Sequence, residues 1–195
     1  MGKRERLNGA DYLLLLLYLN NCEPIKSAVR LTKMMFLFEK EISPLLKKDG
    51  VEIGNLPQFE PYNYGPFSKD VYEQIELFQS IKFLQVKNLK NKEKMSEVDD
   101  WEENEYDNEM GEPDIEFERK ADGKYYQYSL LEKGKEYVQD KIMPEISTNQ
   151  KKVLETYKTR ITSTPIKAIL RYVYTKYPEM TDFCWTGSRH HPSET

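Results

Sequence analysis

IKFLQVK, residues 81–87, alternates apolar and polar side chains, the period of a strand with one buried face. KYYQYSL, residues 124–130, reads as its antiparallel partner, which makes the pair a β-hairpin with an overgrown tip. Upstream, Ser68 opens a helix to about Gln79: its hydroxyl can cap free N–H groups, Asp70 falls in the first turn, and Phe67 is placed to staple against Tyr72. The twenty residues before it hold Gly50, Gly54, Pro57, Pro61, Gly65 and Pro66, and are expected to be irregular or extended.

Further towards the N-terminus, ADYLLLLLYLN (residues 10–20) is apolar around most of a helix, as a buried central helix would be, and should end at Asn20-Asn21. A second helix is expected over Lys26–Glu41, with Lys33, Glu39, Lys40 and Glu41 as its polar positions and Pro44 limiting its continuation. Beyond the hairpin, Glu132–Ile142 reads as a helix stopped by Pro144. Ser147 with Gln150 forms a capping box for a helix to about Arg160, and Thr164-Pro165 supplies a cap and an N1 proline for Ile166–Tyr177. Three helices followed by a two-stranded wing predict an α+β, mostly helical, winged-helix-like fold with C-terminal helices.

The expected organisation is a domain over residues 1–145, a helical extension over 146–180 packed on it, and a flexible tail over 181–195. The 195 residues carry 33 Asp and Glu against 29 Lys and Arg. Twelve of the acidic residues lie between Glu97 and Glu118, with no Lys or Arg among them, and the rest of the chain carries a net +8. Such a segment, at the tip of the wing, reads as a solvated loop or as a tethered polyanion that blocks a basic surface or recruits a basic partner.

No apolar run approaches the roughly 18 residues of a bilayer span, so no membrane association is expected. Cys22 and Cys184 stand far apart, the N-terminal apolar stretch lacks a small-residue cleavage site, and a cytoplasmic location is expected.

RLTKMMFLFEKE (30–41), FEPYNYGPFSKDVYEQIE (59–76) and YSLLEKGKEYV (128–138) resemble the Panacea domain, the SocA-like antitoxin family, and its prokaryotic relatives. Tyr64-Gly65-Pro66, entering a helix, is the most specific of these motifs; the likeness spans about Tyr12–Ile142, and Thr164–Pro178 resembles a stretch of some relatives. The resemblance implies a non-enzymatic helical, winged-helix-like module that contacts other proteins, in some members neutralising a toxin or acting as an adaptor for proteolysis.

Read by itself, the motif sets an abrupt reversal: Gly65 can take backbone angles closed to other residues, Pro66 fixes the next φ and Ser68 caps the helix. Phe59, Tyr62, Tyr64, Phe67 and Tyr72 surround it, and part of this group is expected to form a protein-binding face. A toxin or another basic protein is the expected partner. Nucleic acid is the alternative, yet the third helix carries −2 over residues 68–80 and would repel phosphate. Residues 141–176 carry +6, so Lys151, Lys152, Lys158 and Arg160 are the candidate nucleic-acid residues.

Catalytic readings fail on spacing. Asp114 with Glu118-Arg119-Lys120 mimics a nuclease metal motif, but three intervening residues cannot carry the chain between two strands. Cys184, His190 and His191 occupy a polar tail without a companion cysteine pair, and no phosphate-binding glycine loop is present. No cofactor, metal or catalytic residue is expected.

Overall fold

A computed structural model describes residues 6–62, 65–89 and 125–180. The acidic segment 97–118, Tyr64, Asp114, Glu118, Cys184, His190, His191 and the tail 181–195 lie outside the described residues.

Helix α1 (Gly9–Cys22) begins at a capping box: Asn8 Oδ1 accepts from the Ala10 and Asp11 N–H groups, and Asp11 Oδ2 accepts from Asn8 N–H at 2.9 Å. Leu13–Leu17 are all at most 1% exposed, so the leucine run fills the centre of the core. The helical angles stop at Tyr18, and Asn20, Asn21 and Cys22 then stand in left-handed conformation at φ 54°, 57° and 58°. Asparagine tolerates this region better than most residues, but three in succession are costly unless the surroundings enforce them.

Strand β1 (Ile25–Lys26) follows, too short to be read from periodicity. Helix α2 (Ala28–Leu37) passes through a π-helical turn (Phe38–Ile42) into α3 (Ser43–Lys48). Pro44 therefore does not end the helix, against expectation. Ser43 N–H donates to the Phe38 carbonyl five residues back, and this widened turn relieves the clash a proline ring otherwise makes with the carbonyl four residues earlier. The same device recurs after the hairpin, where α5 (Glu132–Tyr137) enters a π turn (Val138–Ile142) and a 3-10 turn (Met143–Glu145) that carries Pro144.

Helix α4 (Lys69–Ser80) matches its reading closely: Ser68 Oγ accepts from Val71 N–H, and Phe67 stacks on Tyr72 at 5.3 Å. Strands β2 (Leu84–Leu89) and β3 (Tyr125–Leu130) pair antiparallel, with Leu84 opposite Leu130 and Leu89 opposite Tyr125. The first strand starts later than its sequence suggests, because Lys82 takes φ 61° and residues 81–83 form a turn. β1 adds to the free edge of β3 through Ile25–Tyr128 and Lys26–Gln127, so the sheet has three strands in the order β1-β3-β2.

Helix α6 (Thr148–Ser163) has the expected Ser147–Gln150 capping box. Before α7 (Ile166–Lys176) the assignment shifts by one residue: Pro165 is the N-cap, and the Thr164 hydroxyl instead donates to the Arg160 carbonyl at the end of α6. Leu154, Tyr157, Ile161, Ile166, Ile169, Leu170 and Val173 join one apolar cluster with Leu13–Leu17, Phe36 and Phe38. The C-terminal helices thus complete the core and are more than a cover on it. The fold is α+β, mostly helical, with a small antiparallel sheet.

Candidate functional site

The chain on either side of Gly65 and Pro66 is pinned from three sides. Glu60 and Phe67 exchange both backbone hydrogen bonds at 2.9 Å, and Gly65 N–H donates to the Tyr62 carbonyl at 2.9 Å. Gly65 has φ 81°, and a Cβ there would stand 2.9 Å from Tyr174 Cε1, so its hydrogen is required by conformation and by space. From below, Lys33 Nζ donates to the Pro66 carbonyl at 2.9 Å. Lys33 is a correction: placed by sequence on the polar side of its helix, it is 4% exposed and anchors the loop to α2. Pro66 and Ser68 are buried.

From this loop onto α4, Tyr62, Phe67 and Tyr72 form an aromatic ladder, with centroids 5.3 Å apart at each step and interplanar angles of 38° and 27°. All three are half-buried, and Tyr72 also packs on the core. The Tyr72 hydroxyl lies 3.5 Å from Thr32 Oγ1 on α2. Phe59 belongs elsewhere: it packs edge-on against Phe36 at 5.4 Å and borders the core. Of the five aromatic candidates, the structure therefore gathers three into one surface and assigns Phe59 to packing.

A second polar cluster was not legible in the sequence. Glu41, projected from the first π turn, accepts at Oε1 from the Tyr172 hydroxyl (2.7 Å), Lys176 Nζ (2.9 Å) and the Tyr177 hydroxyl (3.1 Å). Despite partial burial, these donors hold the Glu41 carboxyl below its ordinary value. Burial and the adjacent carboxylate push the Tyr177 hydroxyl up to about 12. Lys176 also sits over the Tyr172 and Tyr177 rings, and Tyr177 meets Phe36 edge-on at 5.0 Å. This cluster ties α7 to the π turn, with every partner internal. Beside the turn, Glu39, Lys40, Ser43, Lys47 and residues 54–59 line an open groove of about 620 Å³.

One of the four candidate nucleic-acid residues, Lys158, does not lie at the surface. Lys158 is fully buried, and its Nζ donates to the carbonyls of Leu17 (3.3 Å), Leu19 (2.7 Å) and Glu23 (2.8 Å). It caps the end of α1 and cannot reach phosphate. Burial pushes its ammonium down to about 8. Lys151 lies 3.7 Å from Glu155, while Lys152 and Arg160 are exposed. Arg30 performs the converse task for α6: it is buried, and its guanidinium donates to the Ile161 and Thr164 carbonyls at that helix's end. A signal was available for Lys158, a long cation with Leu154 four residues before it and Ile161 three residues after it on the same helical face, but not for Arg30, whose face also carries Lys26 and Lys33.

Among the described residues, no group of three or more His, Cys, Asp or Glu is placed to hold a metal, and no helix is long and apolar enough to cross a membrane. No protein-family model and no curated protein matches the chain.

Proposed function

We propose that this chain is a non-catalytic regulatory module that binds another protein, antitoxin- or adaptor-like in the manner of the Panacea and SocA-like proteins it resembles, on a winged-helix-like scaffold. The scaffold reading is supported by element order: helix, short strand, helical segment, helix, then two strands, with β1 on the far side of β3 from β2. The observation that carries the functional reading is the half-buried ladder Tyr62–Phe67–Tyr72, running from a loop fixed by Lys33 and by the Glu60–Phe67 bridge onto α4. Aromatic rings held rigid lose little entropy on binding, which favours them as interface anchors.

The product of a flanking gene is the partner to test, by calorimetry at high salt. Phe67→Ala with Tyr62→Ala should weaken such a complex by about 2 kcal/mol, roughly 30-fold, while thermal unfolding retains a single transition. Undiminished affinity in that variant refutes the assignment of the surface.

A winged-helix DNA-binding regulator is the second reading, favoured by the exposure of Lys152, Arg160, Lys167 and Arg171 on the last two helices. Affinity for duplex DNA that falls steeply with salt and is lost in Lys152→Ala/Arg160→Ala would support it.

A further inference from the structure

The ladder is flanked by carboxylates, and their placement specifies what it would bind. Glu60 stands directly across from Phe67 in a reciprocally hydrogen-bonded bridge, so the two side chains rise from the same face of the loop. Glu76 lies four residues after Tyr72, one turn along the same side of α4. Both are exposed, and among the described residues neither takes part in an ion pair. The neighbouring charges are already used: Glu73 pairs with Lys69 at 3.0 Å, and the Asp70 carboxylate accepts from Gln58 N–H at 2.8 Å. Lys33, which reaches the loop from α2, is buried with its Nζ on the Pro66 carbonyl.

From this arrangement the geometry points to an arginine- or lysine-bearing segment of a partner protein as the occupant, an inference that rests on the protein-binding reading above. A guanidinium is planar and weakly hydrated, so it extends an offset aromatic stack as one more layer while its N–H groups reach a flanking carboxylate. Rings with a carboxylate beside Phe67 and another beside Tyr72 meet both requirements. The chain's own segment 97–118 is a poor occupant, because its twelve acidic residues have the sign of Glu60 and Glu76.

The test is selection of a random peptide library on the full chain, counter-selected on Tyr62→Ala/Phe67→Ala, with affinities then measured by fluorescence polarisation. Enriched peptides should carry Arg or Lys, weaken with salt, and lose about tenfold in affinity on Glu60→Gln/Glu76→Gln. Those two side chains are exposed and unpaired among the described residues, so that variant should unfold at the parent temperature. Ladder-dependent peptides without basic residues would overturn the cation class and leave the protein-binding reading standing. Failure to enrich any peptide that distinguishes parent from ladder variant would overturn both. Binding that survives in the glutamine variant but vanishes when residues 97–118 are removed would place the cation on the acidic segment and overturn the inference. A dimer of the parent that the glutamine variant dissolves would name a second copy as occupant, with the same consequence.

Discussion

Replacing Lys158 by Met isolates the role of one buried cation. The substitution keeps most of the side-chain volume and removes the donor shared by the Leu17, Leu19 and Glu23 carbonyls. Glu23 is exposed and water can reach its carbonyl, whereas Leu17 and Leu19 are at most 2% exposed. Two buried acceptors left without a partner cost about 1–3 kcal/mol each, and the ammonium's desolvation is recovered, so the net loss is about 3 kcal/mol. The left-handed residues Asn20–Cys22 are held by the same contacts, and that strain acts in the same direction. For a chain of this size the unfolding temperature should fall by about 6–12 °C. Differential scanning calorimetry measures it, with the exposed Lys152→Met as control. Because the folded-state value of Lys158 is lowered to about 8 from 10.5, the unfolded chain binds the extra proton between those values. Parent stability should therefore rise with pH across that window, and Lys158→Met should lose this contribution. An unfolding temperature within 2 °C of parent, together with a loss of DNA affinity, would refute the capping role and return Lys158 to the nucleic-acid surface.

Gly65→Val should destabilise by about 1–3 kcal/mol in urea titration, since a branched side chain at φ 81° is strained and meets Tyr174. Gly134→Ala should cost at least as much, because its Cβ would stand 2.3 Å from the Phe83 carbonyl oxygen, where α5 presses on the turn before β2; an unchanged midpoint would mean that helix moves freely. Glu41 has its folded value depressed, so its stabilisation is present above the ordinary 4.5 and is lost as pH falls through the folded value; Glu41→Gln should remove that acid-dependent loss in unfolding curves recorded down the acid range. Replacing residues 90–124 by Asn-Gly should leave the unfolding temperature within a few degrees of parent, since Leu89 and Tyr125 already face each other across the hairpin; loss of the cooperative transition would show that the segment supports the fold.

Much of the helical framework was legible because its signals are local. Ser68, Phe67 and Tyr72, and likewise Ser147 and Gln150, announce helix starts within a few residues, and the stapling and capping contacts form as those spacings require. The leucine run of α1 announces burial for the same reason. Pro44 misled, since a proline excludes an ordinary helical turn but not a widened one, and widening depends on what the turn packs against, whereas the run that begins at Glu132 does end at Ile142, two residues before Pro144. Two-residue β1 has no period of its own and exists because β3 offers it an edge.

Local chemistry thus determines the helix starts, the hairpin and the turn at Gly65, all of which concern residues adjacent in the chain. Tertiary structure alone decided the fate of the cations and aromatics, whose partners lie far away in sequence. Lys33, Arg30 and Lys158 look like solvated charges until Pro66, the end of α6 and the end of α1 arrive as acceptors. Phe59 and Phe67 read alike in sequence, yet one packs against Phe36 and the other sits in an aromatic ladder at the surface. The physical reason is shared: periodicity reports which face of an element is apolar, but a polar group's burial is decided by whether a distant chain segment supplies its hydrogen bonds.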